Sequence, residues 1–122
     1  MNYKTLISNL KNNKTVTSAI LFGSRAKGTQ KHDSDYDIAV FLNDYNQKNT
    51  RNIERLKTEQ FDVIPYNKIP LHVQAEVFKH GKPIFIKDNN NYTKELYLAI
   101  KNYQDNQHHY YMLKKYRWVQ WM

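Results

Sequence analysis

The stretch LFGSRAKGTQKHDSDYDIAV, residues 21–40, decides the fold that we expect for this chain. An apolar run, Val16–Phe22, leads directly into Gly23 and Ser24, which predicts a buried strand that stops at a tight turn. Residues 24–28 then favour a short helical turn. Glycine lets the backbone bend sharply and approach a phosphate, and the first N–H groups of a helix attract an anion. We therefore expect Gly23 and Ser24 to bind a phosphate group.

Two aspartates open the next predicted strand. Residues 35–42 alternate with a period of two, so Asp35 and Asp37 project from one face while Tyr36 belongs to the other. The two carboxylates are then roughly 6.6 Å apart along the backbone before their rotamers bring them together. Hard oxygen ligands suit Mg²⁺, which usually takes one or two carboxylates and completes its shell with water and substrate phosphates. Asp35 and Asp37 are therefore predicted metal ligands.

A third carboxylate is expected at Asp62. This residue lies in a predicted strand, between the apolar residues Phe61 and Val63. A charged group in such surroundings needs a partner or a metal to offset its loss of water. The alternative interpretation is a structural acid at the end of a strand. With three carboxylates, two metal ions can activate an attacking oxygen and stabilise a leaving pyrophosphate.

The rest of the chain alternates helices and strands. The predicted helices cover residues 3–13, 49–57, 70–81 and 89 onward, and the further strands cover 60–66 and 84–87. This alternation predicts an α/β (α+β) fold, in which helices flank one mixed sheet and a long helix ends the chain. We expect a single domain over residues 1–122, with a core of about 1–88 and a C-terminal helical segment of about 89–122.

The composition excludes several classes of protein. The chain has 122 residues, a formal net charge of +8 and no cysteine, so disulfide frameworks and thiolate metal sites are ruled out. No apolar run approaches the roughly 20 residues that cross a bilayer, and the first residues lack the apolar stretch of a signal peptide. We expect a cytoplasmic protein without a membrane partner. The charge favours a polyanionic ligand, although it does not by itself indicate nucleic acid.

Aromatic and apolar residues recur along the predicted C-terminal helix. The stripe from Tyr92 to Tyr103 has helical spacing, which predicts core packing for this part. Beyond it, tyrosines and tryptophans accumulate between residues 110 and 121. These either pack on the chain's own core or form a surface for a partner, and the sequence favours neither.

The motif of Gly23 and Ser24, ten residues, then Asp35 and Asp37 resembles the signature of the DNA polymerase β type nucleotidyltransferase superfamily. Its spacer and the short chain are most similar to the minimal nucleotidyltransferases, the antitoxin partners of HEPN-domain toxins. The resemblance implies that Gly23 and Ser24 bind triphosphate, that Asp35 and Asp37 bind catalytic metal and that Asp62 is the third carboxylate. The basic residue common after Gly-Ser is matched here by Arg25, for which a phosphate role is expected.

The resemblance also implies a function: with two Mg²⁺ ions, the enzyme transfers AMP from ATP to a tyrosine of a HEPN ribonuclease toxin, which silences the toxin. No nucleic-acid partner is expected. One alternative is an aminoglycoside-type enzyme with a small-molecule acceptor. A second alternative is a binding module that masks the toxin by contact alone.

Overall fold

The structure is a computed structural model. It describes residues 2–28 and 35–116, and among these it describes all side chains except those of Lys27 and residues 105–116. The prediction on the aromatic residues 110–121 therefore lies outside the described side chains.

Five helices and four strands alternate along the described chain, as the sequence predicts. In order they are α1 (Tyr3–Asn12), β1 (Val16–Phe22), α2 (Ser24–Lys27), β2 (Tyr36–Leu42), α3 (Gln47–Glu54), β3 (Phe61–Pro65), α4 (Leu71–His80), β4 (Lys82–Ile86) and α5 (Asn89–Tyr116). A 3₁₀ turn, Tyr66–Lys68, joins β3 to α4. The fold class is confirmed: one mixed sheet with helices around it and a long C-terminal helix.

The four strands form one sheet in the order β3-β2-β1-β4. Strand β1 is antiparallel to both of its neighbours, whereas β2 and β3 run parallel. The two edge strands contain Pro65 and Pro83, and proline is tolerated at an edge because it has no N–H to donate. Strands β1 and β2 therefore form the buried centre of the sheet, and both carry parts of the predicted motif.

The alternation along β2 separates two apolar cores. Ile38, Val40 and Leu42 pack with α1 and α3 on one side of the sheet. Ala39 and Phe41 pack on the other side with Val77 of α4 and, at its margin, Tyr92 of α5. By the same alternation Asp37 belongs to the side of α4 and α5, so the predicted metal ligands share a face with Phe41.

Side-chain caps fix where two helices begin. The Asn2 Oδ1 atom accepts a hydrogen bond from the Thr5 N–H at 2.8 Å, which opens α1. The Asn46 Oδ1 atom accepts from the Asn49 N–H at 2.8 Å. This second cap explains why α3 begins two residues before the predicted start at residue 49.

The expected core packing of residues 92–103 is only partly correct. Ala99 is buried and Tyr92 packs against the core, but Ile100 and Tyr103 are 49% and 44% exposed. Both line a groove of about 370 Å³ between α4 and α5. The apolar stripe of α5 is thus wider than the surface that α4 covers. Helical spacing alone therefore predicts more buried residues in α5 than the structure contains. None of the helices in the described chain combines the length and apolar character needed to cross a membrane.

Candidate active site

The site is built around the turn after β1. Gly23 has φ 76° and ψ −155°, a backbone conformation that is essentially restricted to glycine. A Cβ atom at this position would collide with the Oδ2 atom of Asp37. Glycine is therefore required at this position for two reasons: its backbone angles and its close contact with Asp37, a predicted metal ligand.

Helix α2 follows this turn at once. Gly23 is its N-cap and Ser24 its first residue, and Gly28 closes it with φ 74°, donating its N–H to the Ser24 carbonyl oxygen. The first N–H groups of a helix have no partner within the helix. The turn at Gly23, which begins α2, thus lies directly beside Asp37.

Strand pairing brings Asp62 to the same place. In the parallel pair of β2 and β3, Asp37 lies opposite Asp62, and on the other side of β2 it lies opposite Phe22, the residue before the glycine turn. Asp62 and Ile64 share a face of β3, and Ile64 packs against the core on the side of α4 and α5. Asp37 and Asp62 therefore project from one face of neighbouring strands.

Burial and neighbouring acids both disfavour the negative charge of Asp37. Burial raises the pKa of Asp37 above its ordinary value, and the negative charges of Asp62 and Asp35 raise this pKa further. Each of these causes disfavours the ionised carboxylate. A divalent cation between the carboxylates would reverse the effect, so the charges and the oxygen donors fit Mg²⁺. Within the described part of the chain, however, no group of three acidic or histidine side chains is already assembled for a metal ion.

A lysine that the motif does not contain lies next to the third acid. The Nζ atom of Lys57 is 3.7 Å from Oδ1 of Asp62, and the two side chains are 65% and 34% exposed. Both residues line a cavity of about 250 Å³ that follows β3, together with Glu54, Val63, Ile64, Pro65 and Lys68. No sequence pattern indicated Lys57, because its distance to Asp62 depends on the turn before β3.

Arg25 lies in a different place from the acids. Its guanidinium carbon is 3.9 Å from the centre of the Tyr36 ring, a cation–π contact. That ring stacks on Tyr3 of α1, with ring centres 4.9 Å apart. Because Tyr36 and Asp37 are neighbours on a strand, they face opposite sides of the sheet. In this structure Arg25 therefore packs on the aromatic cluster at α1, and the expected phosphate role remains a prediction.

An anion-binding turn beside facing carboxylates is an arrangement that suits metal-assisted transfer at phosphorus. The family described as Polymerase beta, nucleotidyltransferase matches residues 4–90. This chain belongs to that family. Comparison with curated protein sequences gives no match.

Several solved structures with the same fold belong to toxin–antitoxin complexes. A chain of a toxin–antitoxin crystal structure with AMP-PNP has a TM-score of 0.70 and 21% identity, over 98% of this chain and 100% of that chain. A chain of the MntA-HepT toxin–antitoxin has a TM-score of 0.65 and 18% identity, over 95% and 97%. A third chain, from a Shewanella oneidensis complex of tri-AMPylated HEPN toxin with MNT antitoxin, has a TM-score of 0.63 and 17% identity, over 95% and 96%. At such identities the likeness establishes the fold.

Proposed function

We propose that this chain is a Mg²⁺-dependent adenylyltransferase that moves AMP from ATP onto a tyrosine hydroxyl of a HEPN toxin and so neutralises it. The observation that carries the proposal is the contact of Gly23 with Asp37, with Asp62 in register on the next strand. The cytoplasm is the proposed setting, since ATP and Mg²⁺ are both abundant there.

The arrangement of the three strands suits transfer at phosphorus. The turn after β1 is proposed to hold the β- and γ-phosphates through backbone N–H groups and the Ser24 hydroxyl. Asp37 and Asp35 would hold Mg²⁺ on the central strand, and Asp62 would complete the site from β3. Bound Mg²⁺ would neutralise charge on the triphosphate and favour release of pyrophosphate. The protein then contributes mainly by fixing the α-phosphorus and the acceptor oxygen in line.

The proposed acceptor and partner rest on the family and on the fold of the similar chains. Two of those chains belong to complexes that are described with AMP-PNP and with an AMPylated HEPN toxin. The net charge of +8 also favours a polyanionic substrate such as ATP. A tyrosine hydroxyl carried by a partner protein fits a site that opens at the edge strand β3.

The proposal is tested by comparing wild type with the variant Asp35→Asn, Asp37→Asn. Each protein is incubated with Mg²⁺, ATP labelled at the α-phosphate and a HEPN toxin as the acceptor protein. We expect label on a HEPN tyrosine with wild type, and at least about 100-fold slower labelling with the variant, because the charges that hold the metal are lost. Intact-mass spectrometry and ribonuclease activity of the toxin are the measurements.

The matched control is Asp44→Asn, Asp88→Asn, which removes two exposed acids at the end of the sheet opposite the glycine turn and is expected to label at the wild-type rate. If the Asp35→Asn, Asp37→Asn variant protects against the toxin as well as wild type does, and no adduct forms, inhibition works by contact and the proposal is wrong. Label on a small-molecule acceptor in place of the protein would equally contradict it.

A further inference from the structure

The segment from the glycine turn into α2 contacts the start of β2 on both faces of the sheet. On the side of α4 and α5, Gly23 lies against the carboxylate of Asp37. On the side of α1 and α3, the guanidinium carbon of Arg25 lies 3.9 Å from the centre of the Tyr36 ring. Tyr36 and Asp37 are neighbours on β2 and therefore face opposite sides. The segment thus contacts two consecutive residues of the strand that carries the predicted metal ligands.

Helix α2 is too short to keep its conformation without support. It has four residues, Ser24–Lys27, and a single helical turn is unstable in water unless the rest of the protein holds it. Ala26 supplies one such contact, because it is buried. The contact between Arg25 and Tyr36 is a second, two residues after Gly23. The position of the glycine turn therefore depends on what holds Arg25.

The Tyr36 ring is itself fixed by its surroundings. It stacks on Tyr3 of α1, with ring centres 4.9 Å apart, and lies 5.3 Å from the ring of Phe61, its partner in register on β3. The Tyr36 N–H donates to the Gln60 carbonyl oxygen at 2.9 Å. A partly buried ring that is held in this way is a firm support for a guanidinium group, since cation–π contacts strengthen as water is excluded. Tyr36 occupies the middle position of the two-aspartate motif, to which the motif assigns no chemistry.

We propose that Tyr36 is a positioning residue for the nucleotide: through Arg25 it holds α2 so that the glycine turn stays beside Asp37, where the triphosphate is proposed to bind. This inference rests on the proposed function and adds that an aromatic ring on the opposite face of the sheet sets the affinity for nucleotide. A side chain without a ring at position 36 leaves the carboxylates on β2 and loosens the turn. Binding of the triphosphate then weakens.

The test measures binding of α,β-methylene-ATP with Mg²⁺ by isothermal titration calorimetry. This analogue needs no acceptor protein, and its methylene bridge prevents cleavage between the α- and β-phosphates. Wild type is compared with Tyr36→Leu and Tyr36→Phe. We expect Tyr36→Leu to raise the Kd about three- to tenfold, which is the size of one cation–π contact. Tyr36→Phe should stay within about twofold of wild type, because the ring remains.

The matched control is Tyr92→Leu. Tyr92 is also partly buried, but it packs near Phe41 towards the other end of β2. We expect the control to lose stability in urea unfolding, as Tyr36→Leu does, and to keep the wild-type Kd. The inference is overturned if Tyr36→Leu loses stability and still binds the analogue as wild type does, since the ring then serves packing alone. Equally weak binding by Tyr36→Phe and Tyr36→Leu would overturn it too, because the hydroxyl group would be responsible.

A double-mutant cycle tests whether Tyr36 acts through Arg25. In the background Arg25→Leu the cation is already absent, so adding Tyr36→Leu should change the Kd by less than about twofold. The same factor in both backgrounds would mean that the two residues act independently, against the inference.

A further variant carries 3,4,5-trifluorophenylalanine at position 36, which keeps the shape of the ring and withdraws negative charge from its face. We expect it to bind the analogue as weakly as Tyr36→Leu, and it decides the question if Tyr36→Leu does not fold. Wild-type affinity in this variant contradicts the inference. The labelling assay with the HEPN toxin is read separately: if wild type labels no toxin, the proposed acceptor is wrong while the Kd series still decides the role of Tyr36. Absence of analogue binding by wild type overturns both.

Discussion

At Gly23, both the backbone conformation and the close approach of Asp37 require a residue without a Cβ atom. The residue adopts φ 76° and ψ −155°, and its Cα faces the carboxylate of Asp37. Gly28, at the other end of the same short helix, has φ 74°, and apart from its chain neighbours no atom of the described residues lies within 4 Å of where a Cβ would stand. The two glycines thus separate the effect of backbone strain from the effect of a collision at the site.

We expect Gly23→Ala to lower the free energy of unfolding by about 1–3 kcal/mol through its backbone angle. It should also slow AMP transfer by at least about 100-fold, because the Asp37 carboxylate must move away from the new methyl group. The control Gly28→Ala should cost about 1–2 kcal/mol and leave transfer near the wild-type rate. Urea unfolding and the labelling assay are the measurements. Equal loss of transfer in both variants would show that strain, and not the contact with Asp37, is responsible.

At the scale of single elements, aromatic rings connect helix α5 and helix α4 to the core. The ring of Phe78 on α4 lies between Phe41 of the sheet and Tyr92 of α5. Its centre is 5.6 Å from the centre of the Phe41 ring and 5.5 Å from that of Tyr92. On another side of α5, the Tyr97 side chain is 64% exposed. Phe78 and Tyr97 thus belong to the same pair of packed helices but differ in burial, so their substitutions can be compared.

We expect Phe78→Ala to destabilise the protein by about 2–4 kcal/mol, since it removes ring contacts with both the sheet and α5. Tyr97→Ala should change stability by less than about 0.5 kcal/mol, because its ring is mostly in water. Thermal unfolding followed by circular dichroism compares the two. If Tyr97→Ala costs as much as Phe78→Ala, the ring of Tyr97 is covered in solution and the description of this face is wrong.

Helices and strands with strong hydrophobic periodicity could be predicted from the sequence. The residues at which they begin and end were predicted less accurately. The bounds of β1 are as predicted because its apolar run meets a glycine turn. The start of α3 depended on the Asn46 cap, and β4 begins at Lys82 because an edge strand accepts Pro83. The exposure of Ile100 depends on how much of α5 is covered by α4, which no local pattern contains.

At the scale of the whole molecule, the same central strands carry two cores. Ile53 of α3 is fully buried on one side of the sheet, and Val77 of α4 is fully buried on the other. Strands β1 and β2 contribute residues to both clusters. The two sides are therefore expected to unfold together, in one cooperative transition.

We expect Ile53→Val to cost about 1 kcal/mol and Val77→Ala about 2 kcal/mol of unfolding free energy. The double variant should lose the sum within about 0.5 kcal/mol, because the two sites lie on opposite sides of the sheet. Urea denaturation should show one transition with an unchanged m-value. Two separate transitions, or a single variant that melts only one helix, would contradict a shared cooperative core.

The local part of the candidate site could be predicted from its spacing, whereas Asp62 was predicted from its strand context and the resemblance, not from its register with Asp37. The spacing of Gly23, Ser24, Asp35 and Asp37 lies within one stretch of chain, so the sequence contains it. The register that sets Asp62 opposite Asp37 joins residues that are far apart in the chain. The positions of Arg25 on Tyr36 and of Lys57 beside Asp62 also follow from tertiary contacts, and the motif did not indicate them.

The parallel pairing of β2 and β3 has a consequence for how preparations of this protein are judged. A slip of one residue would place Phe61 or Val63 opposite Asp37 and turn Asp62 to the other side of the sheet. Such a misregistered molecule would keep most of its helix content and still be catalytically dead. Specific activity is therefore a more sensitive measure of correct folding than helix content. Preparations that contain misregistered molecules would differ in their active fraction while their circular dichroism spectra remain similar.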